Sequence, residues 1–360
     1  NILLFKNKKQ NIANHFPAID LSKEKVIEDI ALFEDKKNII NPKGDEIWVI
    51  GNELAQQIKQ KIESIGKPLK EWNISIYRGL LTGFNEAFII DKATKEQLIK
   101  EDPKSAEVLV PILRGRDIKR YAIEYADLWL INLHNGYKSV LRIDVDNYPA
   151  IKNHLDKFWL QIEKRYDKGD TPYNLRNCAY IDAFYQEKII YQEIVQQGEF
   201  VIDNENYFCI DTGRIIVGEH LKFLTCLFNS KLFFYAIKNY YGGGGLGEKG
   251  IRMKHTFFMD FPAILPQNTK AFIDKTDLIL SLNKQLQNIS LQFQRSIQRR
   301  FEINDLSPKL KDWYSLTYSE FTKELSKKKI KLSLSQEAEW ETYFLEESKK
   351  ALDIKQKIDT

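Results

Sequence analysis

Between Glu71 and Pro266, short β-branched and aromatic runs alternate with turn residues and short helical stretches, without a regular strand–helix–strand rhythm. A doubly wound nucleotide-binding fold requires that rhythm, so this stretch reads as α+β with one mixed sheet. Strands are expected at Ala87–Asp91, Leu128–Leu133, Lys188–Ile194, Phe200–Asp203, Tyr207–Ile210 and Arg214–Val217. The polar Asp203–Asn206 segment lies between two apolar runs and predicts a hairpin. Helices are expected at Thr94–Glu101, with Thr94 and Gln97 as a capping box, at Tyr148–Tyr166 and at Glu219–Tyr240. In the second, Ile151, Leu155, Trp159, Ile162 and Tyr166 share one stripe.

The flanks differ in texture. Residues 1–70 read as a connector with an amphipathic helix, capped by Asn52, carrying Leu54, Ile58, Ile62 and Ile65 and stopped by Gly66 and Pro68. Residues 267–360 are helical in pattern: Ile279, Leu282, Leu286, Ile289 and Phe293 form a short coiled-coil-like seam. Further helices are expected over Glu320–Lys328 and from near Ser335. The chain opens on Asn1 and closes inside a helical pattern, so a piece of a longer protein is expected. With 43% hydrophobic and 12% aromatic residues among 360, a sizeable core is available and wholesale disorder is excluded. Lys and Arg number 54 against 50 Asp and Glu, so any basic surface must be local. Three cysteines, Cys178, Cys209 and Cys226, make no disulfide framework and predict a reducing, cytoplasmic setting. No apolar run is long enough to span a membrane, and no membrane association is expected.

Five scattered histidines (His15, His134, His154, His220, His255) offer no metal-ligand spacing, and no nucleophile-elbow pattern is present. The run Gly242–Gly247 matches the dinucleotide fingerprint only because any glycine run does; it follows a helical pattern where a strand is needed. A flexible loop and a phosphate nest remain as two equal readings, with Lys249, Arg252 and Lys254 as the cations of the nest. Arg114, Arg116, Lys119 and Arg120 gather around Asp117, and arginine forks suit phosphates and guanine edges, although composition alone favours a solvated turn with one Arg–Asp pair. The same stretch imitates a metal-dependent nuclease array through Glu107, Asp117 and Lys119. A second basic group, Lys164, Arg165, Lys168 and Arg176, is expected on one exposed edge; a helix C-terminus alone accounts for the first two.

The run Tyr77-Arg78-Gly79-Leu80-Leu81-Thr82-Gly83-Phe84-Asn85-Glu86-Ala87-Phe88 resembles the opening of the TaqI-like C-terminal specificity domain. That family belongs to adenine-specific DNA methyltransferases and fused type II restriction–modification enzymes. The resemblance continues in order through Leu113–Tyr121, Trp129–Ile131, the Tyr148-Pro149 helix ending near Arg165, Glu187–Ile194, Leu224–Tyr235 and Asp260–Pro266. It spans about residues 74–266, and the tail, with Phe321–Phe344, resembles the C-terminal extension of the fused enzymes. One departure is Pro172-Tyr173-Asn174-Leu175, where the family carries tryptophan before the leucine. The resemblance implies a target recognition domain that reads double-stranded DNA for a catalytic methyltransferase domain, in cis or in trans. The parent enzyme would use S-adenosylmethionine, with Mg²⁺ as an optional second cofactor, and methylate N6 of a flipped adenine. Its Asn/Asp-Pro-Pro-aromatic motif is absent, since no two prolines are adjacent. Catalysis and cofactor binding are therefore expected outside this segment. The two competing readings are the nuclease centred on Glu107, Asp117 and Lys119, and an interaction scaffold resembling a type I specificity subunit that docks through its tail seam.

Overall fold

The computed structural model describes residues 53–242, 250–253 and 255–359, with short pieces at 16–18, 29, 31 and 38–40. Asn52, Gly243 to Lys249, and Lys254 lie outside the described residues. The chain divides into two compact units. One comprises Asn1–Ile76, Glu193–Gly198 and Ser230–Pro266; the other comprises Tyr77–Gln192, Glu199–Asn229 and Gln267–Thr360.

In the first unit the helix Glu53–Ile65 ends before Gly66, where an added Cβ would stand 2.5 Å from the Pro262 side chain. Its ends stay in solvent: Leu54 and Ile65 are exposed, so only the middle of the expected stripe packs. Lys67–Pro68 pairs antiparallel with Pro262–Ala263, and Ile194–Val195 with Ile251–Arg252. Ser230 caps the helix Lys231–Ala236 through its hydroxyl, which accepts from the Phe233 amide at 3.1 Å. That helix widens into a π-turn over Ile237–Tyr241.

Among the described residues the second unit holds two small sheets, the short ribbon of Ile118–Lys119 with Ala122–Ile123, and the helical tail, so the single mixed sheet expected is divided. Phe200–Asp203, Lys188–Gln192 and Gly213–Gly218 lie side by side, antiparallel, with Ile190 opposite both Val201 and Ile215. The other sheet is mixed, in the order Phe208–Cys209, Leu109–Leu113, Leu128–Ile131 and Ile89–Asp91, the first pair parallel. Phe88, Ile112, Leu130, Ile151, Leu155, Phe184, Ile190, Phe208 and Ile215 fill one core between these strands and helices. The fold is thus α+β, with mixed strand directions as the lack of rhythm predicted.

Five local expectations are corrected, four of them by a side chain that competes with regular structure. Ala87 and Phe88 belong to a helix, Asn85–Phe88, and the strand begins at Ile89. The Thr82 hydroxyl accepts from the Phe84 amide at 3.2 Å and turns the chain into that helix. Asp203 does not close a hairpin. Its carboxylate accepts from the Glu205 and Tyr207 amides at 2.9 and 3.0 Å, and Phe208–Cys209 leaves for the other sheet. The cap of the Lys92–Glu101 helix is Asp91, which accepts from the Thr94 amide at 2.8 Å. The long helix expected over 219–240 breaks at Asn229, whose amide group bonds the Phe200 N–H and C=O at 3.1 and 2.8 Å. The 148–166 helix is likewise two pieces, Pro149–Asp156 and Trp159–Ile162, and Tyr166 is exposed.

One ion pair is fully enclosed. Lys188 faces Asp203 across adjacent strands at 2.6 Å, with side-chain exposures of 0% and 1%. The ammonium also donates to the Phe184 carbonyl at 2.6 Å.

The tail helices are Lys270–Phe301, Tyr318–Lys327 and Leu334–Asp359. Leu282, Leu286 and Phe293 of the seam are buried, and Ile279 and Ile289 are half-buried. The cover comes from within: Phe293 stacks on Trp313 at 3.7 Å and on Tyr343 at 5.3 Å, with Phe344 and Ala351 in the same cluster. Phe293→Ala is expected to cost about 3–5 kcal/mol. Leu291→Ala, at a side chain 47% exposed, is expected to stay within about 0.5 kcal/mol. Urea unfolding followed by tryptophan fluorescence checks both; equal midpoints would show that the seam is not what holds the tail.

Candidate nucleic-acid interface

Two glycine-bearing strips meet at the turn Ile210–Gly213. The Gly79 amide donates to the Gly213 carbonyl at 3.0 Å, and the Leu80 amide to the Cys209 carbonyl at 2.8 Å. A Cβ at Gly79 would stand 2.0 Å from the Ile210 carbonyl oxygen, so glycine is required for this approach. From the other strip, the Gly115 amide donates to the Thr212 hydroxyl at 3.0 Å. The result sets Arg78 beside Asp211 at 3.1 Å and stacks Tyr77 on Tyr180 at 4.5 Å. Arg78 and Arg116 are both exposed on the strips that flank the turn. Arg78 was not among the residues singled out from sequence; the glycine that follows it is the signal that could have found it.

The basic run divides into one structural arginine and several surface cations. Arg114 grips Asp117 as a fork, Nε to Oδ2 at 3.0 Å and Nη2 to Oδ1 at 2.8 Å, while its amide donates to Oδ2 at 2.8 Å. The bond to Asp117 raises the Arg114 pKa, and the pair closes the Gly115–Asp117 turn. Lys119 lies 4.0 Å from Glu124. Arg116 and Arg120 project into solvent, Arg120 over the Tyr121 ring. The nuclease array is not assembled: both Asp117 oxygens are held by Arg114, and Glu107 accepts from the Tyr148 hydroxyl at 3.0 Å. Among the described residues no three His, Cys, Asp or Glu side chains form a metal-holding group.

The second basic group also separates. Lys164, Lys168 and Arg176 are exposed; Lys168 donates to the Glu163 carbonyl at 2.7 Å and Arg176 pairs with Asp167 at 2.6 Å. Arg165 departs from the expected exposed edge: it is buried, with its guanidinium over the Phe88 ring at 4.3 Å. It donates to the carbonyls of Thr82, Asp167, Pro172 and Asn174. Burial pushes its pKa down to about 10, opposed by Asp167, so it is charged at neutral pH. Gly83 lies against it with φ +71, and a Cβ there would stand 2.9 Å from the Asp167 carbonyl oxygen. Asn174 is buried and donates to the Ile143 carbonyl at 2.8 Å.

In the other unit, Arg252 is exposed on its strand with Nε 3.4 Å from Glu193 Oε1. Lys249 and Lys254 lie outside the described residues. Burial pushes the Cys178 and Cys209 thiols up to about 11 and 12, so both stay protonated at neutral pH.

Losing the Arg165 fork leaves buried carbonyls without donors. Arg165→Lys is expected to destabilise the chain by about 2–4 kcal/mol despite keeping the charge, because one ammonium cannot replace the fork. Arg176→Lys, at an exposed pair, is expected to cost less than about 1 kcal/mol. Thermal unfolding of both variants checks this; equal shifts would refute the anchoring role.

Residues 110–246 match the family described as the TaqI-like C-terminal specificity domain, and residues 266–360 match a domain of unknown function, DUF8810. No curated protein matches the chain. Among solved structures, the type IIL restriction–modification enzyme MmeI in complex with DNA aligns at 14% identity and TM-score 0.44, over 80% of this chain and 37% of that one. The type IIG restriction endonuclease BpuSI aligns at 15% identity and TM-score 0.41, over 62% of this chain and 28% of that one. The chain thus corresponds to about a third of the length of each. Through its residues 110–246, which include the Arg114–Arg120 run, this chain is similar to the TaqI-like C-terminal specificity domain.

Proposed function

We propose that this chain is the DNA-reading part of a restriction–modification enzyme. The observation that carries the reading is the specificity-domain match over residues 110–246, within which the forked Arg114–Asp117 turn holds out Arg116 and Arg120. In this reading Arg116, Lys119 and Arg120 contact duplex DNA, and Arg78 joins them from the neighbouring strip. Lys164, Lys168, Arg176 and Arg252 add charge without specificity. Arg114 and Arg165 hold the frame.

The finer parts of the proposal concern the parent enzyme. A methyltransferase domain, in cis or in trans, would bind S-adenosylmethionine and transfer its methyl group to N6 of an adenine flipped out of the duplex. Mg²⁺ would enter only with an accompanying nuclease, and the setting would be the cytoplasm. The chain alone is expected to give no calorimetric signal with S-adenosylmethionine. Binding at micromolar affinity would instead locate a cofactor site within it.

Fluorescence polarisation with labelled duplexes tests the DNA-reading role. Replacing Arg116 and Arg120 by Ala is expected to lower the salt slope of binding by roughly 0.9 for each phosphate that is no longer neutralised. An unchanged slope would reduce this run to a solvated turn.

A further inference from the structure

The long tail helix Lys270–Phe301 and the helix Leu334–Asp359 leave a groove between them, lined by Ser296, Arg299, Arg300, Glu339, Trp340 and Tyr343. We propose that this groove binds the phosphate backbone of DNA, adding a second point of attachment to the recognition domain. The proposal rests on the DNA-reading role and assigns part of that role to the tail.

The first argument is charge. The last ten residues of the long helix read Gln292-Phe293-Gln294-Arg295-Ser296-Ile297-Gln298-Arg299-Arg300-Phe301, three arginines without an acid. Arg295 and Arg299 stand one turn apart, about 6 Å along the axis. The guanidiniums of Arg295, Arg299 and Arg300 make no ion pair or hydrogen bond among the described residues, and all three residues are exposed. Elsewhere in the tail Lys327 pairs with Glu324, Lys350 with Glu347 and Lys355 with Asp359. Lys311, Lys323, Lys328 and Lys349 are likewise without an ion pair among the described residues, so what sets these arginines apart is their grouping on one helix end beside aromatic side chains.

A helix C-terminus by itself attracts cations through its dipole. That account is incomplete here, because other groups close the helix end. The Glu302 and Ile303 amides both reach the Gln298 carbonyl, the latter at 3.2 Å, with Glu302 in the left-handed region. The two guanidiniums donate to no terminal carbonyl.

The second argument is the floor. Trp340 is half-buried and held by Phe301 at 5.1 Å, and Tyr343 by Phe293 at 5.3 Å. Rigid aromatic faces beside unpaired guanidiniums suit a sugar–phosphate strand, whose sugars and base edges need apolar cover while its phosphates need charge. Glu339 is the one carboxylate in the groove. It would repel a phosphate and attract a ligand bearing a positive group, and so provides a diagnostic.

The experiment uses the full chain, a mixed-sequence duplex and titration over a range of salt. The double variant Arg299→Ala, Arg300→Ala is expected to lower the slope by roughly 1.8, for two phosphates left without a cation. The double variant to Lys should keep the slope, and Glu339→Gln should tighten binding. If the Ala variant binds with an unchanged slope, or if Glu339→Gln weakens binding, the groove proposal is overturned while the recognition reading stands. If the full chain binds no duplex at all, both fall together.

Discussion

A buried guanidinium with four carbonyl partners is the interaction on which the Tyr77–Gln192 part of this molecule depends. Arg165 bonds the Thr82 carbonyl and those of Asp167, Pro172 and Asn174, joining segments far apart in sequence. Among the described residues no carboxylate pairs with it. Its charge is met by peptide dipoles, as suits a flat fork with several donors. Gly83 must be glycine because it passes this fork in a left-handed conformation. The Tyr77–Phe88 strip is therefore anchored at Thr82 and Gly83, while its leading end reaches the Ile210–Gly213 turn.

The arginines thus divide by surroundings and not by sequence context. Arg114 and Arg165 lie in basic runs that look alike on paper, yet one closes a tight turn on a buried carboxylate and the other ties loops together. Their neighbours Arg116, Arg120 and Lys164 stay in solvent. Exposed cations keep a fixed spacing only where a scaffold holds them. Here one residue type supplies both.

What could be read beforehand follows the range of the forces involved. The tail seam was legible because a helix repeats every few residues, and Leu282, Leu286 and Phe293 did fall together. The strands near Phe200 and Gly213 were legible as β-branched runs. Illegible were the places where one polar side chain imitates backbone: Asn229 bonding Phe200 across 29 positions, Asp203 folding over its own turn, Thr82 starting a helix. Apolar periodicity does not register such contacts. Within the candidate interface, the run at Arg114–Arg120 was visible as composition. Which of its cations remain free depends on Asp117 being buried, a fact about packing.

The enclosed pair between Lys188 and Asp203 has a consequence for alignment. Ordinary strands find their register because one face is oily and the other wet, so a slip by one residue turns the oily face outward. The Lys188–Gln192 strand lacks that guide: Ile189, Ile190 and Tyr191 are all buried, and either face suits the interior. A one-residue slip would instead set Lys188 opposite Ile202 and strand two charges without water, at a cost of several kcal/mol, on the order of 3–5. Electrostatics thus acts as the strand's ruler, freeing its hydrophobic positions to change without the strand losing its place.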